Sequence, residues 1–120
     1  MTSGWKRSGM DLNQLTVRAV HLRDRFNALE EARSGRAWSR EEVMQGFVGD
    51  VGDLTKLVMA KQGLRSIDNV DAKLAHELAD CLWSILVLSH SYQVDLEAAF
   101  LRTLQELEIR IDAELDPTRT

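Results

Sequence analysis

Proline is almost absent from this 120-residue chain: its one proline, Pro117, sits near the far end. Proline breaks helix interiors, so its absence from residues 1–116 leaves room for long uninterrupted helices. Cysteine is equally scarce. Cys81 stands alone, which excludes an intramolecular disulfide and a cysteine-built zinc site. No wholly apolar run exceeds four residues, Ile85–Leu88 among them, far short of the roughly 20 that a membrane span needs. Met1–Met10 holds Gly, Ser and two basic residues and lacks the apolar core of a signal peptide. An excess of positive charge is missing too. With 15 Lys+Arg against 19 Asp+Glu, net −4, there is no basic patch of the size a general nucleic-acid binder needs to displace counterions. These absences lead to an expectation of a cytoplasmic protein, with no membrane and no nucleic-acid polymer as partner.

What remains is ordinary globular material. Hydrophobic residues make up 44% and charged ones 28%, a balance that supports one core at a length typical of one domain. Leu12, Leu15, Ala19, Leu22, Phe26 and Leu29 recur at three- and four-residue steps, predicting a helix over residues 10–33 that ends at Ser34-Gly35. Ser39 and Glu42 make a capping-box pattern, and Trp38 and Val43 stand at the two positions of a hydrophobic staple. A second helix should run from there to about Gln62, stopped by Gly63. A connector over Leu64–Val70 carries Arg65 and the helix-starting Asp68-Asn69. The third helix is then expected over about Asp71–His90, and the fourth from Asp95 as N-cap to about Leu115. No segment shows convincing two-residue alternation. The expected fold is all-α, four helices over residues 10–115, with a flexible N-terminal segment at 1–9 and a flexible tail at 116–120.

The chemistry lies in where the acids fall. Val43, Phe47, Leu54 and Leu57 occupy one face of the second helix, within about 80°, and Asp50 lies in the middle of that stripe. An unpartnered carboxylate there must find a partner or protonate. Asp53 is one turn on, beside Gly46, Gly49 and Ala60. The third helix is apolar nearly all round, with Leu74, Leu78, Cys81 and Ile85 on one side and Trp83, Leu86 and Val87 on others. Such a helix is normally buried. Yet Glu77 and Asp80 stand one turn apart on it, in a narrow polar strip with Lys73 and Ser84. Two i,i+3 acid pairs on helices meant to be buried point to one shared site, and four carboxylates that close require cations. Hard oxygen donors of this kind suit Mg²⁺ or Mn²⁺. The plain alternative is that each pair faces solvent independently.

These boxes resemble a known family. Gly49-Asp50-Val51-Gly52-Asp53-Leu54 is similar to the Gly-Glu-Val-Gly-Glu-Leu box of the MazG-like all-α nucleotide pyrophosphohydrolases. Glu77-Leu78-Ala79-Asp80-Cys81-Leu82 resembles their Glu-Leu-Ala-Asp-Val-Leu box, and Val94-Asp95-Leu96 resembles the opening of their last helix. The resemblance covers about residues 12–110. The family pattern is E-x-x-E, a spacer, then E-x-x-D. Here it reads D-x-x-D, 23 intervening residues, then E-x-x-D.

The resemblance implies hydrolysis of (d)NTPs, including non-standard ones, to (d)NMP and pyrophosphate, as in sanitation of the nucleotide pool. It further implies a homo-oligomer, dimer or tetramer. Carried over by position, Asp50, Asp53, Glu77 and Asp80 would hold Mg²⁺ against the triphosphate. A metal-bound water would attack, with no protein nucleophile. The departures are concrete. Both first-box glutamates are aspartates, each one methylene shorter; Ser84 stands where relatives often carry Tyr; and Gln105 and Leu107 are nearest to the usual Asn and Lys of the last helix. A catalytically degenerate helical dimerisation or binding module is the alternative these departures raise.

Four further residues are candidate substrate contacts, each with a plainer role beside it. Trp38 could stack on a base or simply close the staple. Lys56 and Lys73 could reach phosphates or stay solvated, and Ser84 lies in the polar strip. His21, His76 and His90 lack metal-ligand spacing, and no Glu-x-x-His occurs, which argues against a ferritin-like di-iron bundle. Gly46, Gly49 and Gly52 recur every third residue and weaken the helix by roughly 1 kcal/mol each, a loss that close approach of a helix or a phosphate would offset. Trp83, Leu86 and Val87 on the all-round apolar third helix are expected to need covering by a second subunit.

Overall fold

A computed structural model describes residues 9–116 and residue 118. The two terminal segments expected to be flexible, and Pro117, therefore lie outside the described residues apart from Gly9, Asp116 and Thr118. Among the described residues the chain is all helical: α1 (Leu12–Ser34), α2 (Arg40–Lys61), α3 (Val70–Ser91) and α4 (Leu96–Leu115).

Local chemistry sets most of these limits. Asp11 caps α1: its carboxylate accepts the Gln14 N–H at 2.8 Å, and the Gln14 side-chain oxygen accepts the Asp11 N–H at 2.8 Å. This reciprocal box marks a start that the periodicity alone left a residue or two loose. Gly35 ends α1 at φ 79°, a left-handed conformation that glycine adopts without strain. At α2 the box foreseen between Ser39 and Glu42 is present, at 3.2 and 3.0 Å. Arg36 adds a bidentate pair to Glu42 at 2.7 and 3.0 Å. That pair, and then the Ser39 N–H, hold the Glu42 carboxyl down at about 2. At α3 the structure differs from expectation: Asn69 precedes the helix in the left-handed region, φ 54°, and makes no side-chain cap. Asp95 caps α4 as expected, accepting the Ala98 N–H at 3.1 Å.

Helices α2 and α3 form an antiparallel hairpin, clamped near its turn by Lys61 Nζ and Asp71 at 2.6 Å. Its far end carries the core: Ala19 of α1, Val43 of α2 and Leu86 and Val87 of α3 are buried together, with Leu12, Leu15, Trp83, Leu88 and Leu96 packed around them. Only the first half of the α1 stripe takes part. Leu22, Phe26 and Leu29 are exposed by 44–47%, because this half of α1 borders a cavity instead of packed side chains. Helix α4 packs on α1 at its first turns, where the Asn13 N–H reaches Glu97 at 3.4 Å, and none of its residues is buried. The radius of gyration is 18.5 Å and the longest dimension 63 Å, against about 14 Å expected for a compact chain of this length.

Two expectations about α3 are corrected here. Leu86 and Val87 are buried within the chain, and Trp83 packs against the same core, so α1 and α2 cover the residues assigned to a second subunit. Leu78 and Ile85, placed on the main buried stripe, are instead 51% and 38% exposed. Periodicity identified apolar positions correctly but not the side from which neighbours arrive. Replacing Leu86 by Ala, which opens a hole in the one packed cluster, is expected to destabilise the fold by about 2–5 kcal/mol in urea titrations. Ile109→Ala on the open face of α4 should change stability by less than about 0.5 kcal/mol at the same protein concentration.

Candidate metal centre and adjoining cavity

The α2–α3 hairpin brings acids from both helices together at mid-length. One carboxylate oxygen from each of Asp50, Asp53 and Glu77 lies within 4.8 Å of the others. Asp50 and Glu77 are half-buried and Asp53 is exposed. Glu77 Oε1 is buried with no hydrogen-bond partner. A buried, unpaired carboxylate oxygen is costly, and its neighbours compound the cost. Burial first, then Asp50, Asp80 and Asp53, push the Glu77 carboxyl above its ordinary value. The fourth acid stands to one side. Asp80 lies 3.1 Å from His76 Nε2, an i,i+4 pair on α3, and is not one of the three converging carboxylates. The spacing of His76 and Asp80 was visible in the sequence, but histidines were weighed there only as metal ligands. Cys81 is buried next to the acids; burial and the charges of Asp50, Glu77 and Asp80 push its thiol up, away from the reactive thiolate.

Beside the acids lies a cavity of about 640 Å³. Asp50 and Asp80 form part of its wall, and Leu22, Phe26, Trp38 and Trp83 supply most of the rest. Phe26 and Trp38 meet edge to face, ring centres 6.2 Å apart at 83°. Asn27 is the neutral amide in this wall. A Cβ at Gly46 would meet the Trp38 ring at 3.6 Å, an ordinary van der Waals contact, and around Gly49 and Gly52 there is open space. Of the four candidate contacts, Trp38 and Ser84 line the cavity, whereas Lys56 and Lys73 are exposed and do not. Sequence reading missed Phe26, Asn27 and Trp83 as lining residues. The signal was there for Phe26, whose stripe on α1 is longer than the core it feeds.

Arg23, Trp38 and Val43 also border a second groove, about 1020 Å³, near the start of α2 and the turn into α4. Its Arg40 lies over the Tyr92 ring at 5.0 Å. The narrower cavity is the better candidate site because it alone adjoins the converging carboxylates.

Compared with known proteins, the chain matches no family model, no curated protein and no solved structure.

The elevated Glu77 carboxyl makes a directional prediction. The folded protein binds this proton more tightly than the unfolded chain, whose value is near 4.5. The metal-free protein should therefore gain stability as pH is lowered from neutral towards that value. Thermal melts between about pH 7 and pH 5 should show a rising Tm that Glu77→Gln removes, the variant being the more stable protein at pH 7.

Proposed function

We propose that this protein is a Mg²⁺-dependent nucleoside triphosphate pyrophosphohydrolase of the MazG-like kind. The observation that carries the reading is the convergence of Asp50, Asp53 and Glu77, with the unpartnered Glu77 oxygen, on the rim of an aromatic cavity. The residues fit a hard divalent cation: all are carboxylates, they come from two helices fixed by the hairpin, and their mutual repulsion is relieved by positive charge. Mn²⁺ suits the same donor set. A cation bound there supplies neutralisation of the triphosphate and polarisation of a phosphoryl oxygen.

The chain's own residues do the rest. Asp50 and Glu77, held half-buried, set the position of the phosphates relative to the cavity. Trp38, Phe26 and Trp83 offer flat apolar walls of the kind on which a base stacks, and Asn27 brings an amide that can donate to and accept from a base edge. The cavity volume is within the range of small-molecule sites. A substrate with a polyanionic end and a planar heteroaromatic end matches this division, and a nucleoside triphosphate has both. With Cys81 buried beside acids, no nucleophilic side chain is assigned.

A catalytically degenerate helical binding module is the competing reading, and the turn of Asp80 towards His76 favours it. The two diverge under test. The enzyme reading expects millimolar Mn²⁺ to raise the melting temperature and pyrophosphate to be released from at least one member of a panel of standard and modified nucleotides. Asp50→Asn should reduce that release by more than about 100-fold and shrink the metal-induced shift in Tm, while the metal-free protein melts no lower than wild type. An unchanged wild-type Tm with Mn²⁺ and no turnover of any nucleotide would leave the binding module.

A further inference from the structure

The cavity beside the acids is polarised along its length. Ser84 follows Glu77 by seven residues on α3, and Val43 precedes Asp50 by seven on α2. In the antiparallel hairpin, one level therefore holds the converging acids and another, about 10 Å along, holds Val43 and Ser84. Arg23 stands at this second end. With Trp38 and Val43 it lines both the cavity and the neighbouring groove, which neither Asp50 nor Asp80 borders. One end is acidic and the other cationic.

Ser84 is an exception among its kind. Every other serine and threonine in the described helices donates its hydroxyl to a backbone carbonyl three or four residues back, the usual local bond of such residues. Ser84 is 4% exposed, lines the cavity and has no hydrogen-bond partner among the described residues. A buried hydroxyl left unpaired is costly until something entering the cavity bonds it. Arg23 is held ready in the same way. Its Nε is tied to Asp24 at 2.9 Å, with the side chain only 21% exposed. Its terminal amines make no hydrogen bond among the described residues.

We infer that this end of the cavity reads the far edge of a base, Arg23 and Ser84 selecting bases that carry a carbonyl there over bases that carry an amine. The orientation rests on the proposed reading: phosphates at the acid level, and the ring among Phe26, Trp38 and Trp83. The ring edge opposite the glycosidic bond then meets Arg23. That edge bears a carbonyl oxygen in uracil, thymine, guanine and hypoxanthine, and an amino group in cytosine and adenine. A guanidinium donates to the first kind and meets the second donor to donor. Asn27, one turn from Arg23 on α1 and in the same wall, can accept the ring N–H that neighbours such a carbonyl. An amide or a hydroxyl turns to suit either edge, whereas a guanidinium has no acceptor to offer. Arg23 therefore decides, and the substrate class is the oxo-base nucleotides.

Free nucleosides test this without metal or hydrolysis, because uridine with cytidine, and inosine with adenosine, are pairs that differ at that edge. In NMR titrations of the full chain, each oxo nucleoside should bind at least about tenfold tighter than its amino partner. Arg23→Met, which keeps the apolar stem, should abolish the preference with helix content retained, and Arg23→Lys, still only a donor, should retain it. Ser84→Ala should weaken uridine and inosine binding several-fold while its melting temperature stays at or above that of wild type, since the hydroxyl bonds nothing in the free protein. Equal affinities within each pair, an amino preference, a preference that survives Arg23→Met, a Ser84→Ala protein that binds like wild type, or no binding of any nucleoside would overturn the assignment, even in a protein that releases pyrophosphate from nucleotides. An oxo preference lost with Arg23 and weakened with Ser84 would uphold it, even in one that does not.

Discussion

Like charges held close together constrain the rest of this molecule. Asp50, Asp53 and Glu77 converge where α2 faces α3, and one Glu77 oxygen is buried without a partner. In the metal-free chain, uptake of a proton by Glu77, whose carboxyl is raised by burial and then by Asp50, relieves part of this repulsion. Lys61 and Asp71 clamp the turn end of the hairpin, and Val43, Leu86 and Val87 close the other. Between these contacts the backbones that carry the acids stay side by side. On the proposed reading, a cation at this site would turn that repulsion into attraction.

The cavity follows from the same arrangement. Where α1 packs through Leu12, Leu15 and Ala19 it completes the core; further along, Leu22 and Phe26 look across open volume towards Trp38 and Trp83. An apolar chamber beside an anionic rim separates two kinds of chemistry by a few ångströms. On the proposed reading, that separation suits a ligand with a flat ring at one end and, across a bound cation, negative charge at the other.

Much of the local structure was legible in the residues. Ser39 with Glu42, Asp95, Gly35 and Gly63 marked helix ends because each satisfies or releases backbone groups within a few residues of itself. The meeting of Asp50 with Glu77 was readable from a carboxylate lodged in an apolar stripe. What could not be read was direction. Leu78 and Leu86 look equivalent in a hydrophobic pattern, yet one is 51% exposed and the other 4%, because the difference depends on where α1 lies. The exposure of α4 escaped for the same reason, its apolar period saying nothing about what it packs against. Spacing alone places Asp80 with the other acids, whereas in the structure it pairs with His76, four residues before it, and lines the cavity wall.

The hairpin also divides the chain into stretches that tolerate changes in length and stretches that do not. Asp53 and Lys61 share α2, and Asp71 and Glu77 share α3, so inserting one residue inside either span turns everything beyond it by about 100°. The acids and the clamp would then face different ways. Residues 62–69 carry no such phase relation, and their connector can lengthen or shorten while both helices keep their register. Homologous chains should therefore vary in loop length between Lys61 and Val70 and be gapless on either side of it.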